Sequence, residues 1–197
     1  MRKLMEEAIN MLPAEETTVE TPTGETFTGL VITKMCCAVS VIRSGECMEE
    51  ALRTVWRDVK VGKLFIRTNH TSLTPQVCAL FFFNFPPCFT FLFDPQPVYI
   101  NLPSDIKDRS VLLLEPMLAT GVTSACALRI LVSQGVPPSN IIHVSMLSTP
   151  AAIAFVHNAF PEVQLLTGEI DKGVDANSMI VPGLGNFGNR YFGTETE

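Results

Sequence analysis

The sequence predicts an α/β fold, a central and mostly parallel sheet with helices on both faces, and three observations predict it. Largely continuous apolar runs recur along the chain, at residues 38–42, 111–114 and 141–146. A strand reads this way when both of its faces are buried, the condition that a helix-covered parallel sheet imposes. Two of these runs lead through a short turn into helical spacing, over 46–56 and around 122–134. Finally, 197 residues at 47% apolar content suffice for one hydrophobic core, so residues 1–197 read as a single domain.

From the N-terminus, Leu4, Met5, Ala8, Ile9, Met11 and Leu12 fall at near-helical spacing and Pro13 closes the pattern, which predicts an amphipathic helix over 3–12. Two β-prone stretches then flank Pro22, Thr23 and Gly24, the grammar of a hairpin across 17–27. Residues 38–42 form a strand, Arg43, Ser44 and Gly45 a tight turn, and 46–56 a helix. Further strands follow at 61–66, 111–114, 141–146 and 164–167, and there is no internal repeat. One stretch departs from this grammar. Residues 77–97 hold seven of the 13 Phe, the pair Pro86 and Pro87, and no basic residue. Its interruptions leave it short of the roughly 20 apolar residues of a membrane span. It reads as an insert, either a buried hairpin or a hydrophobic loop, with a translated retained intron as the other reading of a composition rich in Phe, Pro, Leu and Cys. Exposed, it would be an aggregation hazard.

A net charge of −6, with the 14 Lys and Arg spread along the chain, argues against a nucleic-acid or acidic-membrane surface. Cys36, Cys37, Cys47, Cys78, Cys88 and Cys126 lack the spacing of a zinc site, and a chain this long needs no disulfide framework, so reduced thiols in the cytoplasm are expected. Glu6 and Glu7 fall where a secretion signal needs an apolar run.

The main chemical signal lies after the run at 111–114, where Glu115, Pro116, Met117, Leu118, Ala119, Thr120, Gly121, Val122 and Thr123 join a strand to a helix. Such a turn makes a phosphate cradle: N–H groups at the loop and helix N-terminus point at the anion, the Thr120 and Thr123 hydroxyls add donors, and Gly121 admits a close backbone approach. Ligands of open α/β sheets bind at these carboxyl ends of strands. An ordinary strand-to-helix turn capped by Thr is the plainer reading of the loop alone. Near the C-terminus a second glycine-rich segment runs through Ile180, Gly183, Gly185, Asn186, Phe187, Gly188 and Gly193. Alone, it reads as a surface turn, and Arg43 alone as a surface charge. His70, His143 and His157 each stand apart, with His143 in a predicted buried strand as a core histidine. No Gly-x-x-x-x-Gly-Lys-Ser/Thr loop is present, which excludes a P-loop kinase from this chain.

Together these motifs resemble the uracil phosphoribosyltransferase family, from the first helix to Thr194 with residues 77–97 excepted. Residues 115–123 resemble its phosphoribosyl diphosphate motif Asp-Pro-Met-Leu-Ala-Thr-Gly-Gly-Ser, residues 40–46 its diphosphate loop, and 180–194 its uracil loop. The resemblance implies a type I phosphoribosyltransferase-like fold with a small C-terminal hood. It implies transfer of uracil to 5-phosphoribosyl 1-diphosphate, giving UMP and diphosphate. No side chain acts as nucleophile. Arg43, residues 115–123 and Asn186 would hold phosphoribosyl diphosphate, with Glu115 facing the ribose hydroxyls. Ile180, Gly185, Asn186 and Phe187 would hold uracil. Mg²⁺ would be carried by the substrate without a direct protein ligand. A cytoplasmic or nuclear homo-oligomer is implied, with GTP as a candidate activator. The chain also starts at the helix that follows the family's usual N-terminal arm, as a truncated gene model or fragment would.

Several positions depart from the family pattern. Glu115 replaces Asp and keeps the carboxylate one methylene further out, Val122 replaces Gly, and Thr123 replaces Ser. A β-branched residue resists positive φ, so Val122 is expected to distort the loop and crowd the phosphate. Thr68 stands at an arginine position of the lid segment, with Arg67 one place earlier, and Asn186 stands for Asp. Thr68 and Asn186 also match the phosphoribosyltransferase-like domain of uridine kinase-like proteins, so a non-catalytic regulatory or oligomerising domain is the alternative.

Overall fold

Cys36–Ile42 has seven successive apolar or small residues, and both faces of this strand are buried as far as Val41. The computed structural model describes residues 1–68 and 95–194. In chain order its elements are α1 (Arg2–Asn10), β1 (Ala14–Glu20), β2 (Thr26–Ile32), β3 (Cys36–Ile42), α2 (Glu46–Val55), β4 (Lys60–Thr68), β5 (Pro95–Asn101), β6 (Ser110–Leu114) and β7 (Met117–Leu118). Then follow α3 (Val122–Ser133), β8 (Ile141–Ser148), α4 (Pro150–Ala159), β9 (Gln164–Ile170), β10 (Gly173–Val174), β11 (Ile180–Val181) and α5 (Phe187–Phe192). Single-turn 3₁₀ segments at Ile106–Asp108 and Pro138–Asn140 lead into β6 and β8.

The central sheet runs β5-β4-β3-β6-β8-β9, with β7 continuing the line of β6 along β8. Every pairing is parallel except that of the edge strand β5 with β4. The alternation of side chains divides the core in two. Val39, Val41, Val111, Leu113 and Ile141 face α3 and α4, where Leu128, Leu131 and Val156 meet them. Ala38, Leu112, Leu114, Ile142 and Val144 face α1 and α2, meeting Met5, Met48 and Leu52. The expected fold class, a mostly parallel sheet with helices on both faces, is therefore the observed one.

The predicted hairpin is present as β1 and β2, joined by a turn in which Gly24 takes φ 83°. Of the predicted insert at about 77–97, the last three residues, 95–97, belong to β5 and pair with β4. The remainder, 77–94, lies outside the described residues, as do His70, Cys78 and Cys88. Most of the segment expected as a lid, residues 61–68, is instead strand β4, which Arg67 and Thr68 close, and its last two residues, 69 and 70, lie outside the described residues. None of the described helices is long and apolar enough to cross a membrane.

Candidate active site

Because β3 and β6 run parallel, with Ser40 beside Leu114, their carboxyl ends release two loops side by side. Gly45 makes their closeness possible: a Cβ there would lie 2.5 Å from the Leu114 carbonyl oxygen and 2.7 Å from that of Val41. One loop carries Arg43, and the other runs from Glu115 to Gly121. The second is zipped along one side to β8 and the start of α4. The Pro116 carbonyl accepts from the N–H groups of Met146 and Leu147 at 2.9 and 3.0 Å, and the Ala119 carbonyl from the Thr149 hydroxyl at 2.8 Å. Gly121 then turns the chain at φ 82°, where a Cβ would sit 2.9 Å from Phe155 Cδ1 and 3.2 Å from the Ala152 carbonyl oxygen.

Val122 departs from the backbone half of its expectation. It is the first residue of α3, it takes helical dihedrals, and its side chain is buried against the core. Positive φ falls on Gly121 alone, so the β-branch at 122 meets no backbone conflict. Thr120 Oγ1 lies 3.5 Å from the Val122 amide, and no acidic residue occupies the first turn of α3. The positive end of the helix dipole is thus left without a counter-charge from that turn.

Glu115 is almost wholly buried. Its Oε2 accepts a short hydrogen bond from the Ser124 hydroxyl and lies 3.5 Å from His143 Nε2. His143, fully buried as predicted for a core histidine, also sits 3.1 Å from Ser124 Oγ, while its Nδ1 has no hydrogen-bond partner. Ser124 is the member of this cluster that sequence reasoning missed. Its only signal is a polar residue in the otherwise apolar core-facing stripe of α3.

The C-terminal segment folds over the Arg43 loop. β10 and β11 form a two-stranded ribbon, and Asp171 Oδ2 accepts from the Gly183 N–H at 3.0 Å. Gly183 (φ 51°) is obligatory, since a Cβ would fall 1.9 Å from the carbonyl oxygen of the buried Ile180. Asn186 caps α5 by accepting from the Asn189 N–H at 3.1 Å, a role that neutral Asn fills well. The Arg43 guanidinium donates to Asn189 Oδ1 and, at 2.9 Å, to Thr194 Oγ1, and lies 5.6 Å from the centre of the Phe192 ring. Gly188 lies between the two expected binding groups: a Cβ there would sit 3.5 Å from Arg43 Nη2 and 3.7 Å from Asn186 Oδ1. Tyr191 donates to Glu50 of α2 at 3.1 Å, which holds its phenol above the ordinary range. Phe187 packs on the α2 side of the core and stacks on Tyr191, while Gly185 is exposed at φ 66°.

Cys47, beside the Arg43 loop, donates to the Ser44 carbonyl, and burial pushes its thiol up to about 11, a packing role. Among the described residues no group of three or more His, Cys, Asp or Glu could hold a metal ion. A cleft lined by Arg53, Lys60, Val61, Asn101 and Leu102 lies at the opposite end of β4 and touches neither loop.

The family model for uracil phosphoribosyltransferase matches residues 1–194. The chain belongs to this family. The uracil phosphoribosyltransferase of Dictyostelium discoideum is 38% identical over 99% of this chain and 81% of its own length. Its Saccharomyces cerevisiae counterpart is 38% identical over 98% and 80%. Uridine kinase-like protein 3 of Arabidopsis thaliana is 40% identical over the whole chain, which spans 38% of that longer protein. Among solved structures, a protein from Aquifex aeolicus aligns with all of this chain and 83% of its own, at a TM-score of 0.78 and 25% identity.

Within this uracil phosphoribosyltransferase chain, the residues proposed from sequence fall into two groups. Residues 115–123 form one loop on the sheet, and Arg43 meets the segment 186–194 beside it. Ile180 lies beneath that segment as a buried support, and Glu115 points inward to Ser124 and His143.

Proposed function

We propose that the chain is a uracil phosphoribosyltransferase of pyrimidine salvage, transferring the phosphoribosyl group of 5-phosphoribosyl 1-diphosphate to uracil. What supports the activity most is the placement of Arg43, bonded to the glycine-rich C-terminal segment, beside an anion cradle built at the ends of the same parallel strands. Uracil N1 forms a bond to ribose C1, the C1–O bond to diphosphate breaks with its electron pair leaving on diphosphate, and the N1 proton passes to solvent. The transition state has oxocarbenium character, so alignment and charge stabilisation carry the catalysis and no protein nucleophile is needed.

The 5′-phosphate or diphosphate would lie on the Thr120 to Thr123 amides and hydroxyls, the ribose diol toward Glu115, and the departing diphosphate against Arg43 by charge-assisted hydrogen bonds. Mg²⁺ enters with the substrate. The ion would be held chiefly by diphosphate oxygens and water, and would neutralise charge on the leaving group. Ile180, Gly185, Asn186 and Phe187 would form the uracil side, with Phe187 supporting the hood from beneath. A homo-oligomer in the cytoplasm, with GTP as activator, completes this reading by family membership.

One observation favours the alternative of a non-catalytic domain of a uridine kinase-like protein: the Arg43 guanidinium and the Asn186 amide are both already engaged within the hood. Formation of UMP from labelled uracil, phosphoribosyl diphosphate and Mg²⁺ by the purified chain separates the two. Turnover establishes the enzyme, and a folded, silent chain establishes the alternative.

A further inference from the structure

His143 and Ser124 stand outside every role assigned above, yet both are buried and both touch the one carboxylate of the phosphate loop. They come from different elements, His143 from β8 and Ser124 from the first turn of α3. Their meeting follows from the register that sets Leu113 beside His143, so that Glu115, two residues on, emerges on the same face.

The proton count orients the cluster. Ser124 has one hydroxyl proton, and it is donated to Glu115 Oε2. The 3.1 Å contact between Ser124 Oγ and His143 Nε2 then requires Nε2 to carry the hydrogen and donate it to the serine oxygen. In that tautomer Nδ1 is a bare acceptor, which matches its lack of any hydrogen-bond partner. An Nδ1–H in the same place would be a buried donor with nothing to receive it.

We infer that Ser124 and His143 are positioning residues, a relay from Nε2–H through the serine hydroxyl that fixes one oxygen of Glu115 and so orients the carboxylate toward the ribose diol. The inference rests on the proposed activity, because the diol is that of phosphoribosyl diphosphate. It assigns the two side chains to the ribose-recognition step, leaving the diphosphate contacts to the loop and Arg43.

Calorimetry on the full chain tests it, using phosphoribosyl diphosphate, ribose 5-phosphate and inorganic pyrophosphate as probes. Ser124→Ala and His143→Phe are expected to weaken the two ribose-bearing probes about tenfold, the size of one charge-assisted hydrogen bond, and to leave pyrophosphate unchanged. Ser124→Thr, which keeps the hydroxyl, is expected to restore ribose binding. Equal weakening of all three probes, or none, overturns the relay. If the unsubstituted chain binds none of them, the proposed activity falls first and the relay with it. Ring-nitrogen NMR of the unsubstituted protein gives a reading independent of variant folding: an Nε2–H tautomer is expected for His143, and an Nδ1–H tautomer overturns the assignment.

Discussion

The two halves of the candidate site are held by different physics. Residues 115–121 lie on the sheet, backed by the apolar face under α3 and α4 and zipped to β8 through the carbonyls of Pro116 and Ala119. The hood is a ribbon and a six-residue helix, largely exposed, tied down by Arg43, Tyr191 and the half-buried Phe187. One half inherits the rigidity of the core. The other is free to be rearranged by whatever enters, since exposed polar contacts contribute little each.

The largest effect should come from the residue the halves share. Arg43→Ala is expected to lower turnover about 100-fold, by removing a preorganised cation from the leaving group, with the melting temperature only slightly lowered because the bonds it loses are exposed. Steady-state kinetics beside thermal melting checks both parts, and a large drop in melting temperature would erase the contrast between the halves. On the core side, Gly121→Ala should cost about 2 kcal/mol, as a side chain at φ 82° runs into Phe155 and the Ala152 carbonyl. Denaturant titration measures this. Val122→Gly should also destabilise by about 2 kcal/mol, by exchanging a buried helical side chain for glycine. A gain in turnover without loss of stability would instead point to crowding of the phosphate by Val122. On the hood side, Tyr191→Phe removes only the bond to Glu50 and should cost under about 1 kcal/mol.

The smallest effect concerns the thiols beneath both halves. Burial pushes Cys36 up to about 12 and Cys37 and Cys47 up to about 11. Below the ordinary thiol value of 9.0 these groups are neutral in both states and their contribution is intact. It is lost as pH rises from there through the folded values, because the unfolded chain ionises first. Iodoacetamide at pH 8 should therefore leave all three unmodified until the chain unfolds, and mass spectrometry showing native labelling of Cys47 would break the picture of a well-packed Arg43 loop.

Most of the scaffold was legible in sequence because burial on two faces writes itself as continuous apolar residues, as in Cys36–Ile42 and Ser110–Leu114. What escaped depends on neighbours distant in sequence. α4 escaped although Thr149 and Pro150 mark its start, because its apolar, Ala-rich run lacks a strong polar face. The antiparallel direction of β5 shows only in its pairing with β4. In the candidate site, both loops were visible as glycine and hydroxyl patterns, but which residue takes positive φ depends on where α3 begins, and Gly121 lies close to Phe155 of α4, a neighbour distant in sequence. The Glu115, Ser124 and His143 cluster joins positions 9 and 28 residues apart, a relation created only by the register of β6 on β8.

The edge strand β5 has a consequence for how the molecule behaves in a crowd. Pro95 and Pro97 pair with Thr68 and Ile66, and alternate residues of a strand direct their N–H groups to the same flank. A sheet accepts proline where the missing donor points away from the partner strand, so both gaps fall on the outer flank. A strand from another molecule approaching there would find two absent donors where it needs a ladder. Among the described residues, the sheet is thereby blunted at this border against recruitment into fibrils.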